Sequence, residues 1–458
     1  MIKRYTQKAL VVDNNQEELD QLYEVLDNVG FHVKTHLYDQ SVDVDHLFEG
    51  YRIVFFDLNI TPISIDSNTK DNLDWRTNSN LSEVFGALAQ ALQDVISSEN
   101  GQYALILWTK HKELVMSFKD YIFNRHKSNS FPHPFFISYL DKINFTGTET
   151  DCEFIDALFD NTILKSFMNF ESIIHQQSHN LVSEIINLAS KDTVDAWKDD
   201  QIIKRNFISF LQKMAVQSAG YSIAKANPSR ALSEAITPIL KYKIEKSSDS
   251  LKVWDEIIDL SAIPEKEVRF PEGFDIAKLN NFFHIDSSPE EFSTRGAVFV
   301  LKKESNEGSY FFKDKFNIKK SSTFIENTIR GLDKDKRSYV EYVAIEISAA
   351  CDYSQEKPRL NKYILGLKIP SECYDLYKEE ISSRGINLSN ATLDFPFKFK
   401  DMISCENFNV VLNLNYVCTL NCDEKIMFEH SFTFKKEIVD YIGNKYANHV
   451  SRIGITSY

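Results

Sequence analysis

The chain is short of glycine, with 14 among 458 residues, and none of them builds a phosphate-cradling loop ahead of a helix. P-loop and dinucleotide-binding chemistry are excluded on that ground. Cysteine is scarce as well. The six thiols, at positions 152, 351, 373, 405, 418 and 422, are too irregularly spaced for a disulfide framework and point to a reduced, cytoplasmic setting. No apolar run approaches the roughly 20 residues of a membrane span, and the first residues lack the apolar core of a signal peptide. Positive charge is in deficit: 52 Lys and Arg against 66 Asp and Glu leave a net charge of −14. Nucleic acid and anionic lipid are gripped mainly through Lys and Arg, so neither nucleic acid nor membrane is an expected partner. Zinc-finger spacing is missing, as is a helix-turn-helix with a basic recognition face.

What remains is an ordinary globular composition, 43% hydrophobic and 26% charged, on a chain long enough for two or three cores. Residues 1–147 alternate short β-rich runs with helical patterns, the signature of an α/β doubly wound five-stranded parallel sheet. The strands are read near Lys8–Val12, Phe31–His36, Arg52–Asn59, Tyr103–Trp108 and Phe135–Asp141. Helices are read at Gln16–Val29, stopped by Gly30, near Ser41–Glu49, at Leu81–Ser97 and at Glu113–Asn124. The polar stretch Thr61–Asn80 reads as a long loop, of a length at which a lid is suspected. Residues 148–264 turn helical throughout. Apolar residues from Ile163 to Leu188 recur at helical spacing, and Asn227-Pro228 caps a further helix running to about Glu245. Residues 265–458 change again, to a β-rich α+β domain of unknown role with runs at Ala297–Leu301, Tyr339–Ile347 and Phe408–Cys418 and a closing helix, Lys436–Tyr446.

Chemistry concentrates where the strands of the first domain end. Ligands of open α/β sheets bind in the crevice outside the carboxyl ends of the strands. Four such ends carry Asp13, Asp57, Thr109 and Lys142. Acid, acid, hydroxyl and lysine suit phosphoryl transfer onto a carboxylate, which needs an oxygen nucleophile, a divalent cation and fixed donors for the phosphoryl oxygens. Asp57 fits the nucleophile, the phosphoacceptor. Mg²⁺ takes oxygen ligands and keeps several waters, so Asp13, Asp57 and the backbone carbonyl near Asn59 suffice for it. Lys142 supplies a point charge for the phosphate and Thr109 a hydroxyl.

With these residues in place, the segment from about residue 5 to 145 resembles the receiver domain of bacterial response regulators. Val11-Val12-Asp13, Asp57, Thr109 and Lys142 match the family's acidic pocket, phosphorylated aspartate, switch hydroxyl and lysine. Tyr139 matches the aromatic that swings inward when the switch hydroxyl moves. The resemblance implies a partner histidine kinase and an output partner or effector. Three departures stand out. Asn14 replaces the second acid of the usual strand-end pair and leaves the metal pocket one charge short, Ile143 stands where proline is common, and the loop after Asp57 is long. In its architecture the chain also resembles the receiver-bearing components of Detocs, an anti-phage phosphorelay in which a receiver protein buffers leaked signal; that implies phosphate buffering in antiviral defence.

The other regions offer weaker chemistry. His175 and His179 share a helix face at a spacing compatible with metal, with Glu171 or Glu184 as further ligands, although two solvent-facing histidines are the simpler account. The apolar stripe around them reads as a core or as a homodimer seam. Cys351, Asp352, His430 and His449 define the competing class: a hydrolase or nuclease gated by the first domain. Cys405, Cys418 and Cys422 are an incomplete zinc set. The stretch from Asn448 to Gly454 reads as an anion-binding turn or a solvated tail.

Overall fold

The computed structural model describes residues 7–41, 47–60, 72–128, 130–145, 151–159, 162–190, 200–247, 252, 254, 255, 257, 258, 264, 265, 268–302, 307–349, 360–385 and 388–451. It divides into two compact units, Met1–Phe207 with Ile236–Glu265 and Ile208–Ala235 with Lys266–Tyr458.

In the first unit, strands β1 (Lys8–Asp13), β2 (His32–Leu37), β3 (Ile53–Asp57), β4 (Ala104–Thr109) and β5 (Phe136–Asp141) form one sheet in the order β2-β1-β3-β4-β5. Every pairing is parallel. This is a doubly wound order with its switch point between β1 and β3, and it fits the receiver fold. β3 and β4 are buried along their whole length, as strands covered on both faces must be. Alternate residues divide between two cores. Leu10, Val12, Val54, Phe56, Leu105 and Leu107 face α2 (Ser79–Val95) and α3 (Val115–Arg125). On the other face, Val11, Phe55 and Ile106 pack with α1 (Gln16–Val29), α4 (Asp151–Leu158) and the first turns of α5 (Thr162–Ser190).

Local chemistry sets the ends of α1. The Asn15 side chain caps it by accepting from the Glu17 N–H, and Gly30 closes it at φ 112°, a left-handed position that glycine adopts without strain. Of the helix expected near Ser41–Glu49, residues 42–46 lie outside the described residues; Phe48, at its end, forms a parallel bridge with Ile96. Its N–H donates to the Val95 carbonyl at 2.8 Å, and its ring packs against the α2 core. Residues 61–71 of the expected long loop lie outside the described residues. Its last part is tied down by Trp75, whose indole donates to Asp120 at 2.7 Å.

α5 runs 29 residues, as the apolar spacing predicts, and is followed by α6 (Asp200–Ala219), α7 (Tyr221–Ala226) and α8 (Pro228–Lys246), which begins at the proline after Asn227. Among the described residues no helix is long and apolar enough to cross a membrane.

The second unit holds an antiparallel sheet, β10-β12-β9-β8-β7-β13-β6, with β11 paired to β12. Its strands are β6 (Ile285–Asp286), β7 (Ala297–Leu301), β8 (Glu341–Glu346), β9 (Tyr363–Pro370), β10 (Thr392–Asp394), β11 (Phe399–Lys400), β12 (Asn407–Cys418) and β13 (Phe428–Phe434). One face packs under the helices Glu307–Phe316, Ser321–Thr328 and Ser371–Ser383, and the other partly under the helix Lys436–Val450. Gly366 lies at the middle of the sheet, where a Cβ would stand 2.6 Å from the Val411 carbonyl oxygen and 2.5 Å from Leu412 Cδ2. The clash is with backbone and cannot be relieved by a rotamer change, so Gly366→Ala is expected to cost about 1–3 kcal/mol. Urea unfolding of the two proteins checks this.

Candidate functional site

The parallel register brings the site together. Val12 lies opposite Phe56, so the next residues, Asp13 and Asp57, end their strands level with each other. Asp57 in turn pairs with Trp108, and Thr109 pairs with Asp141, one residue before Lys142. Asp13, Asp57 and Thr109 are all buried. Lys142 opens a short 3-10 turn at the end of β5, and Asp141 caps that turn by accepting from the Ile143 N–H at 2.9 Å.

Lys142 reaches back across the strand ends. Its Nζ lies 2.8 Å from Asp13 Oδ2 and 3.1 Å from Asp57 Oδ1, and it donates to Glu18 Oε2. The side chain is only 5% exposed, so these charge-assisted contacts act in a low-dielectric setting. The ammonium also sits 5.4 Å from the centre of the Trp108 ring, which Phe145 meets edge-on at 4.6 Å.

Glu18 is the residue that strand-end reading misses. It lies in the first turn of α1, where acids favour the helix N-terminus, and it also meets Lys110 at 3.4 Å. The signal was present as an acid five residues past Asp13, in the helix that starts at the crevice. Asn14 does remove a strand-end charge, but Glu18 brings a third carboxylate from the helix. Asn14 acts otherwise: its Nδ2 donates to the Asn59 carbonyl at 3.1 Å, the very oxygen expected to face a metal. The Asn59 N–H donates to Asp57 Oδ1 at 3.1 Å.

Ligand atoms of Asp13, Glu18 and Asp57 lie within 4.8 Å of one another. An oxygen-only set of three carboxylates fits Mg²⁺. The Lys142 ammonium bonds to the same oxygens, so a divalent ion and the lysine compete for them.

The charges shape one another. Burial pushes the Asp57 carboxyl up from 3.8 to about 6, and Asp13 adds repulsion, while Lys142 pulls the other way. Burial also raises Asp13 against the pull of Lys142. For Glu18, burial raises the carboxyl, yet its bond and attraction to Lys142 win and hold it below its usual value. Burial would lower Lys142, but the surrounding carboxylates, Asp57 first, hold it above its usual value.

The remaining expected residues are placed differently. Thr109 Oγ1 accepts from the His111 N–H at 2.9 Å, and no hydrogen bond joins it to the cluster. Tyr139 lies on the edge strand β5 and is 41% exposed, pointing outward. His175 and His179 are exposed, and both nearby acids are taken, Glu171 by Arg52 and Glu184 by Lys243. Cys351 and Asp352 lie outside the described residues, as do residues 452–454. His449 bonds to Asn415 and His430 to Thr433. Cys405 is exposed, and burial pushes the Cys418 thiol up to about 12. Among the described residues neither histidines nor cysteines gather into a metal site.

Neither a protein-family model nor a curated protein matches the chain. Among solved structures, full-length FixJ from B. japonicum is matched over 50% of this chain and 98% of that chain, at 13% identity and a TM-score of 0.19. At that TM-score the match carries no argument.

The raised Asp57 carboxyl has a thermodynamic consequence. A folded-state value above the unfolded one means that the contribution of Asp57 is fully present below pH 3.8 and is lost as pH rises through about 6. That rise corresponds to roughly 3 kcal/mol. Asp57→Asn cannot ionise. In Mg²⁺-free buffer it is expected to be more stable than the parent at pH 7.5 by up to about that amount, with the gap closing by pH 4. Denaturant titrations at both pH values measure it, and equal stability at pH 7.5 contradicts the assignment.

Proposed function

We propose that the chain is a receiver-type signalling protein in which Asp57 accepts a phosphoryl group from the phosphohistidine of a partner histidine kinase. The observation that carries this reading is the buried Lys142 ammonium set between Asp13 and Asp57 at the carboxyl edge of an all-parallel sheet.

Asp57 Oδ1 is occupied by Lys142 and the Asn59 N–H. Among the described residues Oδ2 takes no hydrogen bond, which makes it the attacking oxygen. Its lone pair forms the P–O bond as the donor's P–N bond breaks, and the departing imidazole nitrogen keeps that electron pair and takes up a proton. Asp13, Glu18 and Asp57 would hold Mg²⁺, which would supply positive charge beside the phosphoryl oxygens. Lys142 turns from Asp57 to a phosphoryl oxygen, and the Thr109 hydroxyl, whose oxygen already accepts from His111, is left with its proton to donate. The added charge then biases the face around β4 and β5, Tyr139 included, and so the engagement of an effector. The same reading takes in a cytoplasmic location from the composition, pairing of two copies through the apolar stripe of the helical region, and phosphate buffering in phage defence from the resemblance.

Incubation with Mg²⁺ and acetyl phosphate, or with the cognate kinase, is expected to label the parent protein and to leave Asp57→Ala with less than about a tenth of that label. Equal labelling of the two proteins sinks the reading.

A further inference from the structure

The second unit carries a cavity of about 540 Å³ on the sheet face that the terminal helix leaves open, a size typical of small-molecule sites. Its floor is apolar and buried: Val300 from β7, Phe408 from β12, Phe432 from β13 and Ile285 from β6. The hairpin between β11 and β12 forms one wall and holds Met402 and Ile403, 68% and 97% exposed, at the mouth.

The ionic groups lining the cavity are two lysines, 368 and 400, and four carboxylates, those of Glu341, Asp401, Glu406 and Glu429. Both lysines are already neutralised. Lys368 Nζ lies 2.6 Å from Asp401 and 3.2 Å from Glu341, and Lys400 Nζ lies 2.6 Å from Asp275. No cation among the described residues pairs with Glu406 or Glu429, and both are exposed. Burial lowers His430, so at neutral pH it adds no positive charge. The surplus is therefore negative. It is also dispersed, because the described carboxylates that converge closely enough for one metal ion are those around Lys142.

We propose that this cavity binds an elongated organic polycation, an amine chain whose methylene stem lies on Phe408 and Phe432 and whose ammonium groups meet Glu406 and Glu429. Aromatic faces at the floor suit such a ligand, since ammonium groups are attracted to them.

Calorimetric titration of the full chain with spermidine, and separately with the dianion glutarate at matched ionic strength, tests this. The parent is expected to bind spermidine and not glutarate. Glu406→Gln/Glu429→Gln is expected to bind spermidine at least tenfold more weakly. A control with the same loss of charge elsewhere, Glu24→Gln/Glu83→Gln, is expected to bind as the parent does. The exposure of all four side chains keeps the fold intact, which circular dichroism verifies. Absence of spermidine binding, equal binding of glutarate, or equal weakening in the two double variants overturns the proposal.

Discussion

One buried ammonium organises the first unit. Lys142 sits among three carboxylates that come from three separate elements, β1, α1 and β3, and its own position is set by a fourth, the end of β5. Taking such charges out of water costs several kcal/mol per ion, and only close mutual contact offsets it. The ammonium and the carboxylates therefore offset one another's burial, although for Asp57 the cost of burial outweighs the attraction. Without Lys142, three acids would face one another in a low-dielectric crevice. Without the acids, a buried ammonium would stand alone. An arrangement this tightly coupled is stable as it stands and is primed to rearrange when a new charge arrives.

The same coupling gives the site its chemical bias. Two opposing pressures act on Asp57, burial raising its carboxyl and Lys142 lowering it, and burial prevails. The carboxylate is thus held near the point where it exchanges its proton around neutral pH, yet remains mostly ionised above pH 6. In the proposed transfer such a carboxylate would serve as a nucleophile that is available without being strongly solvated. The Asn59 N–H and Lys142 fix one of its oxygens, and among the described residues the other takes no hydrogen bond.

Much of the first unit was legible in the sequence because parallel strands buried on both faces read as continuous apolar runs, and whatever follows each run must sit at the sheet edge. Asp13, Asp57, Thr109 and Lys142 were placed by that logic alone. Glu18 was not, since its contribution depends on the direction in which the first turn of α1 faces Lys142. Asn14 was read as a lost charge, whereas its amide does structural work on the Asn59 carbonyl. The parallel bridge from Phe48 to Ile96 was likewise not legible, because it joins residues far apart in the chain. In the second unit the cavity was invisible from sequence. Glu341, Lys368 and Asp401 are scattered over some sixty positions, and only antiparallel pairing and a hairpin bring them into one ion-paired group.

The central claim is that Asp57, and no other acid in the cluster, becomes the acyl phosphate. Treatment of the phosphodonor-reacted protein with borohydride reduces an aspartyl phosphate to homoserine, and peptide mass mapping locates it. The account predicts homoserine at position 57 alone, dependent on Mg²⁺. Homoserine at position 13, or none at position 57 under conditions that label the protein, would contradict it.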